Sequence, residues 1–206
     1  MAIKIVIGVL LTLIFNKVLF KYLRNLNVNH KAVNIMYILI PLLILVTIKS
    51  TLYPLNFRLI AYVWFMVLLA YIALIDFYTK LIPNKLLRVQ LAGVVFFSCI
   101  EIIAKSNFSL QFIKAKLITL LLTGGSFFIV YIVTKASIGA GDVKLMIIFG
   151  LTFSQSIAIA GLFYAVICSA VVGIALILLK RLKIKDDVPF APFVFIGTMI
   201  SIIQLG

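Results

Sequence analysis

The chain carries five carboxylates, Asp76, Glu101, Asp142, Asp186 and Asp187, against 19 Lys and Arg. With so few acids, each can be weighed by its surroundings. Asp76 ends an apolar run and opens the segment Asp76-Phe77-Tyr78-Thr79-Lys80-Leu81-Ile82-Pro83-Asn84-Lys85-Leu86, while Asp142 follows Gly139-Ala140-Gly141 and enters another run through Val143-Lys144-Leu145-Met146. Ionisable groups that border hydrocarbon are costly unless they face protein or water, which makes each a candidate for function. Taken singly, both have an ordinary explanation. Asp142 can cap a helix N-terminus, and Asp76 can be a solvated helix end near Lys80, Lys85 and Arg88.

Taken together they offer chemistry. Two carboxyl groups in one site cannot both ionise cheaply, so one pKa rises and the pair holds a single proton near neutrality. Such a pair suits peptide hydrolysis: the ionised member takes a proton from water and the protonated member donates to the scissile carbonyl oxygen, with no metal or cofactor required. Gly139 and Gly141 have no Cβ, so the backbone before Asp142 is free to take positive φ and to let an extended substrate strand approach the carboxylate. Pro83 suits the first turn of a following helix and would fix the loop after Asp76.

Other chemistries lack their parts. His30 is the only histidine, which excludes a multi-histidine zinc site and argues against a Ser-His-Asp triad. Cys99 and Cys168 lie inside apolar runs and form neither a Cys-x-x-Cys pair nor a Cys/His cluster, so they read as small packing residues. Glu101 has Lys105 four residues later, the favourable order for a helix ion pair. Asp186 and Asp187 partly neutralise the basic stretch Lys180-Arg181-Leu182-Lys183-Ile184-Lys185.

The elements that must position these residues are membrane helices. Of 206 residues, 65% are apolar and 12% charged, and the mean hydropathy is +1.30, beyond what one water-soluble core can bury. The net charge of +14 would suggest nucleic acid in a soluble chain. Here the basic residues fall between long apolar runs, so they read as loop charges set against the anionic lipid of the cytoplasmic leaflet, and no nucleic-acid partner is expected. A helix needs about 20 apolar residues to cross roughly 30 Å of hydrocarbon. On that basis the runs are Ile3–Phe20, Ala32–Ile48, Phe57–Ile75, Leu86–Ala104, Leu117–Thr134, Val143–Phe153, Ser156–Leu179 and Phe190–Leu205.

The sixth and seventh runs are separated only by the polar cluster of Thr152, Ser154, Gln155 and Ser156, where a tight turn is expected. With that turn and the N-terminus outside, Lys17, Lys21, Arg24, Lys31, Lys80, Lys85, Arg88, Lys135, Lys144, Lys180, Arg181, Lys183 and Lys185 all fall inside, and fusing the two runs would abolish the bias. The positive-inside rule therefore predicts an all-α polytopic bundle of about eight spans with both termini outside. Asp76 and Asp142, 66 positions apart, then arrive at the same cytoplasmic face. The first run has the wrong flanks for a cleaved signal peptide. No internal repeat or Gly/Ser-rich linker is present, so residues 1–206 read as a single transmembrane domain. Gly93, Gly124, Gly125, Gly161 and Gly173 are expected where helices approach closely.

Asp76 with Ile82-Pro83-Asn84, then Gly139-Ala140-Gly141-Asp142-Val143-Lys144-Leu145, then Val188-Pro189-Phe190-Ala191-Pro192-Phe193 resembles the type IV prepilin peptidases, the GxGD aspartyl proteases of the membrane. The likeness runs from about Trp64 to Ile200. It implies a multi-pass plasma-membrane endopeptidase that removes the short basic leader of prepilin or pilin-like precursors at the cytoplasmic border, with Asp76 and Asp142 as the catalytic pair. Many bacterial members resemble bifunctional enzymes that also N-methylate the new N-terminus and carry Cys-x-x-Cys pairs in a cytoplasmic insert. Here the corresponding loop, about Lys21–Lys31, is short and has no cysteine, so neither methyl transfer nor structural zinc is expected. Asn84 stands where many members carry Asp.

A basic leader meeting a basic inner face should be repelled unless anionic lipid or carboxylates intervene, and Asp186 and Asp187 are candidates to receive it. Lys144, within the Gly139–Leu145 motif, is a candidate for substrate binding or loop shaping. An ion- or proton-coupled carrier would use the same acids, but carriers place coupling residues near mid-bilayer in paired repeats, and neither feature is seen here. A catalytically silent scaffold for pilus or secretion assembly is the third reading.

Overall fold

The computed structural model describes residues 57–105, 110–134, 138–181, 183 and 186–205. Among them lie six helices and no strand: α1 (Phe57–Thr79), α2 (Asn84–Lys105), α3 (Leu110–Val133), α4 (Ala140–Thr152), α5 (Gln155–Leu178) and α6 (Ala191–Leu205). They correspond to the third to eighth apolar runs, shifted by a few residues at most ends. The first two runs, His30 and the orientation of the termini lie outside the described residues, as do the side chains of Glu101 and Lys105.

Among the described residues, three helices are long and apolar enough to cross a membrane: Ala61–Thr79 of α1, then α3 and α5. Their surroundings differ. The spanning part of α1 is mostly buried inside the protein, with Phe65, Leu68, Leu69, Ile72 and Ile75 at its core, whereas α3 and α5 turn most of their surface outward. Exposed Phe128, Ile132 and Val133 on α3 and Phe163, Val171 and Leu178 on α5 form surfaces that lipid tails solvate and water does not. The helix that carries Asp76 is thus the central post of the bundle.

An aromatic cluster ties α1 to α4 at the ends remote from their aspartates. The ring of Phe65 lies 5.1 Å from that of Phe153 and 5.9 Å from that of Phe149, and Tyr62 lies 4.7 Å from Phe153. The buried Gln90 of α2 donates from Nε2 to the carbonyl of Phe65. Close helix contacts explain several glycines. A Cβ at Gly93 would collide with Trp64, one at Gly124 would lie 2.6 Å from Ile147 of α4, and Gly161 lies against Phe149 and Thr198. Gly125 and Gly173 are not contact points: a Cβ at Gly125 would meet only Leu121 of its own helix, and one at Gly173 would meet nothing within 4 Å. The closest approach of backbone to backbone is instead at Gly197, whose Cβ would fall 2.5 Å from the Gly161 carbonyl and 2.6 Å from the Ala165 nitrogen. This seam locks α6 onto α5, and Ser201 adds a hydrogen bond from Oγ to the Ile157 carbonyl.

The expected turn between the sixth and seventh runs is present, with Phe153 and Ser154 extended between α4 and α5. Thirteen residues give α4 a rise of about 20 Å, short of the roughly 30 Å of hydrocarbon. Its last carbonyls are satisfied by protein. Lys116 of α3 donates from Nζ to the carbonyls of Leu151, Thr152 and Phe153 at 2.8, 3.1 and 2.8 Å, and the Ser154 N–H donates to Tyr62 Oη. Opposite this helix, α3 widens into a π turn at Leu121–Gly125, and Thr123 there sits where a side chain on Gly150 would have to be.

Candidate active site

α1 ends just beyond Asp76 because Lys80 turns the chain. Lys80 has φ 53°, a left-handed conformation uncommon for a residue with a Cβ, and its N–H closes the helix on the Asp76 carbonyl at 2.8 Å. The chain then runs through Ile82 to Pro83, whose carbonyl receives the N–H groups of Leu86 and Leu87. Pro83 thus sits just before α2 rather than within its first turn. Helix α4 begins after Gly139, which occupies the cap position, so Asp142 lies in the first turn as the third helical residue and is not itself the cap. From there its carboxylate reaches back to accept the Gly139 N–H, the geometry of a capping box.

The glycines work by space. The expectation of positive φ is not met: Gly139 has φ −63°, and no glycine among the described residues has positive φ. A Cβ on Gly139 would lie 2.9 Å from Asp142 Oδ2, and one on Gly141 would lie 2.8 Å from the Cβ of Ile82. The first glycine makes room for the carboxylate. The second lets the start of α4 press against the loop that follows Asp76.

Asp76 and Asp142 line one cavity of about 650 Å³ at the end of the bundle. Gly139, Asp186 and Asp187 border it too, with Lys80 as its only cation among the described lining residues. Asp186 is held by a local turn in which its Oδ2 accepts the Lys183 N–H at 2.8 Å. Three predicted site residues are not on this cavity. Gly141 and Pro83 shape the loops behind it. Lys144 is exposed and donates from Nζ to Asn84 Oδ1 at 2.9 Å, joining the first turn of α4 to that of α2.

The two carboxyls are held differently. Asp76, 4% exposed, accepts the N–H of Ala191 on Oδ2 at 3.0 Å. Ala191 is the first residue of α6, so a side chain from α1 caps a helix more than a hundred residues away in sequence. Asp142 Oδ1 is buried with no hydrogen-bond partner among the described residues. Burial, and next the charge of Asp76, push the Asp142 carboxyl up to about 6, against the Gly139 N–H, which favours the ionised form. The pair can therefore hold one proton close to neutral pH and exchange it with a reactant in the cavity.

Sequence reading missed Ala191, Lys80 and the ring pair of Phe127 and Phe190, whose centroids are 5.0 Å apart on the cavity wall. Pro189 and Pro192 were the available signal for Ala191. Prolines that bracket a residue mark a helix start, and the remaining N–H there needs an acceptor.

Comparison with known proteins agrees with this layout. The family model described as the type IV leader peptidase family matches residues 63–177, a stretch that includes both Asp76 and Asp142 and stops short of Val188–Phe193. Over 139 residues the chain is 29% identical to the Bacillus subtilis (strain 168) protein named prepilin leader peptidase/N-methyltransferase, covering 66% of this chain and 52% of that protein. The chain thus spans about half the length of the curated relative it matches. No solved structure matches it. With its family model covering more than half of its length, this chain belongs to the type IV leader peptidase family.

Proposed function

We propose that this protein is a membrane aspartyl endopeptidase that removes the leader of a prepilin or pilin-like precursor where the bilayer meets the cytosol, with Asp76 and Asp142 as its catalytic pair. One observation carries the reading: two acids from separate helices open into the same cavity, in a chain of the leader peptidase family.

In this mechanism the shared proton is assigned to Asp142, whose Oδ1 is buried without a hydrogen-bond partner among the described residues, and Asp76, which accepts the Ala191 N–H, is the ionised member. Asp76 takes a proton from a water molecule as that water attacks the scissile carbonyl, while Asp142 donates its proton to the carbonyl oxygen. The tetrahedral intermediate then collapses. The proton gained by Asp76 passes to the leaving nitrogen, and Asp142 recovers a proton from the intermediate's hydroxyl, which returns the pair to its starting state. Asp186 and Asp187 add two further carboxylates to the cavity rim. They offset the basic inner face and give a cationic leader a place to bind.

The reading assigns peptide cleavage and not methyl transfer to this chain, because the predicted loop at about Lys21–Lys31 has no cysteine. It places the whole chain as one multi-pass plasma-membrane domain. The test is co-expression with a pilin-like precursor. Asp76→Asn and Asp142→Asn should each abolish processing while the protein still inserts, and normal processing by either variant would overturn the assignment. An Asp186→Ala/Asp187→Ala variant should raise KM for a basic-leader substrate more than it lowers kcat.

A further inference from the structure

A second cavity, of about 360 Å³, lies between α2 and α4. Its lining comes from one face of each helix: Asn84, Leu87, Arg88 and Leu91 at i, i+3, i+4 and i+7 on α2, and Lys144, Ile147 and Ile148 at i, i+3 and i+4 on α4. The composition is graded. Asn84 and Lys144 stand near the helix starts, at the end of the bundle that holds the aspartates. Arg88 follows about one turn deeper, and Leu91, Ile147 and Ile148 lie beyond. The leucine and isoleucine base is closed, with Leu87 3% and Ile148 4% exposed, while Leu91, Arg88 and Lys144 remain open to the surroundings.

Two cations at the interfacial end of an apolar groove, with no carboxylate in its lining, match a ligand that is anionic at the head and apolar along its length. We propose that this groove is a site for one anionic phospholipid, whose phosphate is held by Arg88 and Lys144 and whose acyl chain lies along Leu91, Ile147 and Ile148. A free phosphate would use the two cations but leave the apolar base uncovered, and a zwitterionic lipid would bring its own cation against Arg88. The site also touches the framework of the aspartate cavity. Lys144 is two residues from Asp142 and holds Asn84 at the end of the loop that starts after Asp76. An occupant that engages Lys144 therefore bears on the seam between the two acids. The proposal stands whether or not the protein is a peptidase.

The test is lipid retention by the full-length protein, reconstituted in phosphatidylcholine with a minor share of phosphatidylglycerol, released into non-ionic detergent and counted by native mass spectrometry. The retained ratio of phosphatidylglycerol to phosphatidylcholine should exceed the bulk ratio about twenty-five-fold, taking roughly fivefold for each cation near an anionic headgroup. Arg88→Gln/Lys144→Gln should fall to the bulk ratio, while Arg88→Lys should keep most of the enrichment. Leu91→Trp, which fills the groove and leaves both charges, should also lose it, and this variant decides the matter if the double variant does not fold. Millimolar inorganic phosphate should leave retention unchanged. The proposal is overturned by absence of enrichment in the native protein, by equal enrichment in the double variant or in Leu91→Trp, or by displacement with inorganic phosphate.

Discussion

The Asp76 carboxylate accepts the backbone N–H of Ala191 at 3.0 Å, across 115 positions of sequence. The bond does two things at once. It satisfies a helix-start donor that Pro192, next in the chain, cannot replace, and together with the Phe190 N–H it orients the carboxylate. Asp142 has a different support, the Gly139 N–H one turn back in its own helix. The two acids of the cavity are thus oriented by two helix N-termini, whose partial positive charge favours negative groups.

Replacing Ala191 with proline removes this donor at the first helical position, where proline is tolerated, and leaves the Phe190 N–H on the carboxylate. Losing one of two backbone donors to a buried carboxylate costs about 1–3 kcal/mol. Ala191→Pro should therefore lower kcat for precursor cleavage by about ten- to a hundredfold, with helix content by circular dichroism unchanged. Ala191→Gly, which keeps the N–H, should stay within about threefold of the native rate, and equal losses in the two variants would falsify a positioning role for this bond.

The raised pKa of Asp142 makes a signed prediction about stability. Its folded value of about 6 lies above the ordinary aspartate value of 3.8, so the folded state binds this proton more tightly than the unfolded state. Stability from this group is then fully present below pH 3.8 and is lost as pH rises through 6. Asn carries no charge at any pH and should be more stable than Asp above pH 6, by an amount of the order of 2–3 kcal/mol. Thermal unfolding of Asp142→Asn in detergent should show a higher midpoint than native at pH 8 and a converging one at pH 4. A constant difference across that range would remove burial and the Asp76 charge as the causes.

Much of this arrangement was legible in the sequence because membrane helices announce themselves by length and apolarity. The six described helices fall on six of the predicted runs, and the turn near Ser154 follows from the polar cluster around it. That Asp76 and Asp142 lie at one end of the bundle follows from the two runs that separate them, which carry the chain away and back and need no tertiary information. Contacts that depend on which face of a helix points inward were not legible. Gly125 and Gly173 look like Gly161 in sequence, yet only Gly161 meets a neighbouring helix. Gly139 was expected for its freedom of φ and is needed for the space beside Asp142 Oδ2. Lys116 lies just before the fifth apolar run, and nothing local in its sequence reveals that it reaches three carbonyls at the end of α4.

Gly141 should tolerate no side chain. An added Cβ would lie 2.8 Å from Ile82 Cβ, too close for any rotamer change to relieve, since Cβ does not move with χ1. Gly141→Ala should destabilise by about 1–3 kcal/mol through overpacking, partly offset by alanine's better helix propensity. Ile82→Val keeps the offending atom and should give no rescue, whereas Ile82→Gly removes it. In a double-mutant cycle Gly141→Ala and Ile82→Gly should couple by about 1 kcal/mol or more, and additivity within about 0.5 kcal/mol would show that the α4 start and the loop do not press on each other.

Lys116 is expected to control α4 from the end opposite Asp142. Its ammonium meets the carbonyls of Leu151, Thr152 and Phe153, which the short helix leaves without intrahelical partners, and its charge complements the negative end of the helix dipole. Met has a similar length and no donor, so Lys116→Met should destabilise by about 2–3 kcal/mol, the range for losing charge-assisted hydrogen bonds. Gln can serve two carbonyls but brings no charge and should fall between. The midpoints of thermal unfolding should rank Lys, Gln, Met, and precursor cleavage should follow the same order because the displaced helix carries Asp142. If Met unfolds with the native midpoint, the carbonyls are satisfied by some other means, and Lys116 is only a neighbour of the turn.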